Sequence, residues 1–454
     1  MDILNPATGA LIATLPDTTA EQAQKQYETA RAAQPLWAAK PLEERIQVLG
    51  KFYELLDEHA DKMAEITTSE VGKPLGQSKG EIAGARKRIK FFLDQSMRYL
   101  ADEIVYEEEG LKEIISYEPL GVIGNISAWN YPYLVGTNVF VPALLAGNAV
   151  MYKPSEYSSL TGEQIVKLLH LAGVHADAVQ LAIGGGEVGK TLLEMPFDGY
   201  YFTGSYKTGQ YIYEKVAPKM VPCQLELGGK DPLYIADDVA DIAGVAAGTA
   251  DGAFYNNGQS CCSVERIYVH EKVYDQYVAE FVKEVNSYKL GAPTEDGVYI
   301  GALTREPQLQ VVDAQVQDAV SKGAKVETGG KRVEGKGYFY QPTVLTGVNH
   351  TMEVMREESF GPVIGIMKVK DDAEAAQLMN DTAYGLTAGV YTADQQRAKT
   401  ILSNINAGTG YWNCCDRVSA ALPWSGRKHS GFGATLSHLG LRAFTHPKAY
   451  HLRG

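Results

Sequence analysis

The run GVIGNISAWNYPYLVGTNVFVPALLAGNAVMYKP, residues 121–154, decides the fold. From Pro119 to Tyr152 there is no charged residue, a length that by itself would cross a bilayer. Pro119, Pro132 and Pro142, with Asn125, Asn130, Asn138 and Asn148, interrupt any single helix and would leave polar groups in lipid. The run therefore reads as a buried strand, loop, helix and strand. Downstream, VQLAIGG (179–185) and GYYFTGS (199–205) repeat the short apolar strand, with a helical stretch at Thr161–Ala172 between. Short β runs separated by helices predict a doubly wound parallel sheet. A second series follows Glu226: DPLYIA, a helix from Ala240 to Tyr255, RIYVHEKVYDQYVAEFVKEV, then VIGIMKVK with a helix over Ala373–Asn380. The expected class is α/β, with two doubly wound parallel-sheet domains.

Upstream of the deciding run, Ala20–Ala38, Leu42–Glu70 and Ser78–Leu100 carry apolar residues at helical spacing and should cover a sheet. IVYEEEGLKEIISYEPL, within Glu103–Leu120, reads as a hairpin turning at Gly110 and projecting as a subunit contact. The whole chain of 454 residues exceeds one ordinary core, and its 45% hydrophobic and 21% charged composition excludes a disordered or fibrous protein. The 42 basic against 55 acidic residues give −13, so neither nucleic acid nor an anionic membrane surface is an expected partner. Five cysteines do not make a secreted disulfide framework, and the start MDILNPATGA lacks the basic and apolar regions of a signal peptide, so a cytoplasmic location is expected.

A cysteine nucleophile has to be partly exposed and close to donors that can hold an oxyanion. FYNNGQSCCSVER, residues 254–266, places Cys261 after a helix and a Gly258–Gln259 turn, where a tight backbone presents thiol and amide together. A buried small hydrophobe is the alternative reading of such a residue. GGGEVG at 184–189 has the form of a phosphate-binding glycine loop after a strand, although a simple loop reads the same.

Four motifs, AWNYP (128–132), ELGGK (226–230), GQSC (258–261) and EESFGPV (357–363), occur in the order and spacing of the aldehyde dehydrogenase superfamily, which this chain resembles. The resemblance runs from NPATG (5–9) through GRKHSGFG (426–433). It implies a Rossmann-like cofactor domain (residues 1–102 and 120–227), a catalytic domain (228–435) and a small hairpin oligomerisation region (103–119 and 436–454), assembled as a homodimer or homotetramer. It also implies oxidation of a small-molecule aldehyde to the carboxylic acid with NAD(P), through a cysteine thiohemiacetal and a thioester. Cys261 matches the nucleophile, with the adjacent Cys262 as the lesser candidate, and Glu226 matches the base that activates water. Asn130 matches the oxyanion donor; its alternative is to cap the following helix. Relatives that pass the acyl group to coenzyme A lack the base.

For the cofactor, the resemblance implies Trp129, Lys153, Ser155, Glu156, Gly185, Gly189, Phe202, Thr203, Gly204, Ser205, Glu358 and Phe360, with the pyrophosphate at the helix opened by Gly204 and Ser205. Glu156 can accept from both ribose hydroxyls and would repel a ribose phosphate, which makes NAD the expected cofactor and NADP the alternative. No metal is implied. The aldehyde tunnel falls on Tyr131, Asn138, Tyr255, Ser260, Arg417, Val418 and Trp424, together with Trp129. Arg417 and Asn138 suit a distal carboxylate, so a semialdehyde such as succinic semialdehyde is expected. Asn138 stands where betaine aldehyde enzymes carry a cage aromatic, which disfavours a quaternary ammonium. Aromatic or aliphatic aldehydes, a non-enzymatic protein on the same scaffold, and a thiol hydrolase are the competing readings. Ala128 departs from the usual proline of the motif, and Trp424 from a common phenylalanine.

Overall fold

A computed structural model describes all 454 residues. The amino-terminal helix spans Ala20–Ala38, as its pattern predicts, because Thr19 and Gln22 form a reciprocal capping box that fixes its start. The stretch read as one helix to Glu70 is two, Leu42–Glu58 and Ala60–Val71, broken at His59, whose backbone leaves helical geometry. The next helix begins earlier than predicted, at Leu75 behind Pro74, and runs to Tyr99. Proline is suited to helix starts because its missing N–H needs no partner there.

Six strands build the first sheet in the order Gly431–Phe432, Cys223–Glu226, Gly199–Thr203, Val122–Ile126, Ala149–Lys153, Val179–Leu181. All neighbours are parallel except the first pair. Gly431–Phe432, expected with the catalytic part, thus completes the edge of the other sheet. The uncharged run becomes the central strand, a buried helix over Pro132–Leu145 and the strand that follows. No helix of the structure is long and apolar enough to cross a membrane.

The second sheet has seven strands in the order Lys325–Thr328, Thr343–Thr346, Val363–Val369, Val264–His270, Asp231–Ile235, Thr387–Tyr391, Thr409–Trp412. Only the Lys325–Thr328 edge is antiparallel. The hairpin forms from Glu103–Glu108 and Leu111–Pro119 with Gly110 at φ +75°, and the terminal strand Thr445–Arg453 pairs along the whole of its second arm. Helices pack on both faces of each large sheet, giving four buried apolar clusters. The carboxyl ends of the first sheet's strands and the loop entering Val264 of the second supply one shared cavity.

Candidate active site

That cavity has a volume of about 890 Å³. Cys261, Glu226, Asn130, Trp129, Thr203, Gly204, Ser205, Glu358 and Phe360 line it, and so does every residue expected in the aldehyde tunnel. Lys153, Ser155, Glu156, Gly185, Gly189 and Phe202 lie outside its lining. Phe202 packs into the apolar cluster with Leu225 and Leu227. Gly185 caps the helix Gly186–Glu194, so the glycine loop does open a helix.

The loop carrying Cys261 is fixed by amides. Asn256 and Asn257 take left-handed backbone, φ +55° and +58°, which asparagine tolerates better than most residues. Asn256 Nδ2 donates to Asn130 O and to Gln259 O, both at 3.0 Å, and Asn257 Nδ2 donates to Ala302 O at 2.9 Å. Asn130 Nδ2 donates to Gln259 O at 3.0 Å, which aims its amide at the cysteine loop and leaves its second N–H free. Asn130 does not cap the following helix: Tyr131 precedes it without a side-chain cap. The free N–H groups of Tyr133 and Leu134 go instead to Glu81 Oε1, at 2.8 and 3.4 Å. Glu81 is itself paired with the buried Lys73, whose ammonium sits 4.1 Å from the Tyr131 ring centre.

The two adjacent thiols differ in environment. Cys261 is half-exposed to the cavity, whereas Cys262 is buried and donates from Sγ to Asp416 Oδ1 at 3.0 Å. The hydrogen bond to Cys261, then burial and the charge of Asp416, hold the Cys262 thiol well above its ordinary range. A thiol kept protonated is a poor nucleophile, which separates the two candidates.

Glu226 ends its strand with Oε1 accepting from Thr435 Oγ1 at 2.8 Å and from Gln224 Nε2 at 3.4 Å. Loss of water raises its carboxyl to about 7. Such a group can accept a proton from water near neutral pH and return it. Gly228 and Gly229 follow because nothing larger fits: a Cβ on Gly228 would meet the Glu358 carboxylate, and one on Gly229 the Cys261 carbonyl. Glu358 Oε1 accepts from Gly229 N at 3.0 Å, and burial followed by the charge of Glu265 raises it to about 8. Glu265, paired with Lys230 at 2.6 Å, accepts from the backbone of Ser359 and Phe360 and so sets the loop that carries Glu358. The Phe360 ring meets Trp129 edge-on, centroids 5.4 Å apart.

The donor set fits a dinucleotide. Ser205 caps the helix Tyr206–Val216, whose first N–H groups can receive phosphate oxygens. Lys153 is buried with Nζ on Pro154 O at 3.1 Å, and burial lowers its pKa. Ser155 Oγ donates to Glu156 Oε2 at 3.2 Å. Sequence reasoning missed Glu81, Lys73, Arg88, Asp416, Thr435 and Glu265. Only Asn256 and Asn257 had a local signal, a paired asparagine before Gly258.

The chain matches the model of the aldehyde dehydrogenase family over residues 1–450. It is 33% identical, over 98% of its length and 93% of the relative's, to a succinate-semialdehyde dehydrogenase [NADP(+)] of Deinococcus radiodurans. It is 34% identical, over 97% and 92%, to a glutarate-semialdehyde dehydrogenase of Pseudomonas putida. Among solved structures, an NADP-dependent enzyme of Escherichia coli superposes with a TM-score of 0.97 at 31% identity, covering 100% of this chain and 94% of that one.

Proposed function

We propose, for a chain that belongs to the aldehyde dehydrogenase family, that it oxidises a semialdehyde such as succinic semialdehyde to the dicarboxylic acid. The observation that carries this is the convergence of Cys261, Asn130, Glu226 and Glu358 on one cavity that also holds Arg417 and Asn138. Two relatives named for succinate and glutarate semialdehydes support the substrate class.

Cys261 Sγ, as thiolate, forms a bond to the aldehyde carbon, and the carbonyl electrons move to oxygen. Asn130 Nδ2–H and the Cys261 backbone N–H hold that oxyanion. A bound nicotinamide would supply the acceptor for the hydride lost from that carbon, and Cys261 would then hold the carbon as an acyl thioester. Glu226 then takes a proton from water, the water oxygen adds to the thioester carbon, and the carbon–sulfur bond breaks to free the acid and restore the thiolate. Glu156 would hold the adenine ribose and Glu358 the nicotinamide ribose, with Phe360 and Trp129 supporting the ring. NAD is the cofactor, with NADP as the alternative; the Glu156 carboxylate, which would repel a ribose phosphate, supports that order.

Residues 1–102 with 120–227 form the cofactor part, joined by the edge strand Gly431–Phe432; the rest of 228–435 forms the catalytic part, and 103–119 with 436–454 the oligomerisation region of a cytoplasmic homodimer or homotetramer. The exposure of Ile104 and Val105, 53% and 54%, on the outer strand supports a partner there. A non-enzymatic scaffold is not favoured, since nucleophile and base are both present.

A kinetic panel of succinic semialdehyde, benzaldehyde and hexanal with both dinucleotides tests this reading. The highest kcat/KM is expected for succinic semialdehyde with NAD; benzaldehyde or hexanal in first place would refute the substrate class. Asn130→Ala should lower kcat by about 10²–10³-fold, the range for losing one oxyanion donor. A steady-state rate within twofold of the parent would remove that role.

A further inference from the structure

Four basic side chains line the cavity: Lys87 and Arg417 are exposed, Arg305 donates to Gln308, and Arg88 is half-buried beside the tunnel residue Asn138. Arg88 lies on the helix Leu75–Tyr99. Of the other basic residues nearby on that helix, Lys79 pairs with Asp61, Arg86 with Asp57 and Lys90 with Asp94, while Lys87 also lines the cavity, unpaired but exposed to water. Arg88 has no acid partner, and its hydrogen bond runs from Nη1 to Asn138 Oδ1 at 3.2 Å. The remaining N–H groups of its fork are open.

The acids lining the same cavity are already engaged. Glu81 is paired with Lys73, Asp251 accepts from the Tyr299 hydroxyl at 2.6 Å, and Asp416 takes the Cys262 thiol. Glu226 takes Thr435. Burial works against the charged form of Arg88 and lowers its pKa, and the charges of Cys262, Glu226, Cys261 and Glu81 offset this only in part. A guanidinium left partly dehydrated without a counter-ion is unfavourable, and an anion that enters the cavity relieves it. Its planar fork matches a carboxylate.

We infer that Arg88, oriented by Asn138, is the residue that binds the carboxylate at the far end of the substrate. This rests on the semialdehyde reading of the site and changes its details. Asn138 presents its oxygen to Arg88, so it acts as a positioning residue, and the exposed Arg417 is secondary. The anchor comes from an amino-terminal helix, far in sequence from the nucleophile.

The test uses the full-length enzyme with NAD and the ratio of kcat/KM for succinic semialdehyde to that for butanal, a neutral aldehyde of the same length. Arg88→Met should lower this ratio about 100-fold, mainly through KM for the semialdehyde, the order expected when one partner of a desolvated charge pair is removed. Arg88→Lys keeps the charge but loses the fork and should lower the ratio about tenfold, which carries the test if Arg88→Met fails to fold. A ratio unchanged in Arg88→Lys and Arg88→Met, or equal losses on both aldehydes, overturns the assignment. A parent enzyme with no preference for succinic semialdehyde over butanal overturns the semialdehyde reading itself, whatever the variants do.

Discussion

Replacing Cys261 with alanine is expected to lower NADH formation at least about 10⁴-fold, since the one other thiol lining the cavity, Cys262, is a poor nucleophile. The neighbouring thiol will not substitute. Cys262 is buried against Asp416, and its thiol is held protonated by the hydrogen bond to Cys261, by burial and by that carboxylate. Cys262→Ala should therefore keep turnover within about tenfold of the parent, as a buried change of one sulfur atom costs packing and leaves the chemistry in place. Steady-state NADH absorbance on both variants, with melting curves to confirm folding, checks the pair. Equal losses in the two would mean that the thiols act together, and a larger loss in Cys262→Ala would reverse the assignment.

The second large effect concerns water. Glu226→Gln should release NADH in a burst equal to the enzyme concentration and then turn over about 10²–10⁴-fold more slowly, because acylation needs no base at that position and thioester hydrolysis does. The pH dependence has a definite sign. Burial raises the Glu226 carboxyl to about 7, and only the ionised form can take a proton from water. The parent's steady-state rate should fall as pH drops through about 7, with a burst of NADH emerging as thioester hydrolysis slows. Stability runs the other way. The folded carboxyl binds its proton more tightly than the unfolded one, so its ionisation removes stability as pH rises from the ordinary carboxylate range to about 7. Glu226→Gln removes that penalty and should melt above the parent at pH 8, with the gain vanishing in acid. A single-phase progress curve, or a melting difference that grows in acid, would contradict this account.

Much of the fold was legible because its signals are local. The proline and asparagine pattern of residues 119–154 excluded a membrane helix, and the apolar spacing of Ala20–Ala38 gave that helix its bounds. Short strands gave no such signal: Cys223–Glu226 and Gly431–Phe432 pair across about two hundred residues, and nothing in either segment announces the other. The same holds in the site. Cys261, Glu226 and Asn130 sit in motifs, but Glu81 reaches Tyr133, Arg88 reaches Asn138 and Thr435 reaches Glu226 only after the chain has folded. Their roles are tertiary hydrogen bonds on residues whose sequence surroundings are those of an ordinary helix or loop.

The covalent intermediate is the centre of this account, and trapping it is the direct measurement. Glu226→Gln mixed with succinic semialdehyde and NAD, quenched in acid and mapped by tandem mass spectrometry, should carry one acyl group on Cys261, absent when NAD is left out. An acyl group on Cys262 instead, or NADH released with the Cys261 peptide unmodified throughout the burst, would contradict it.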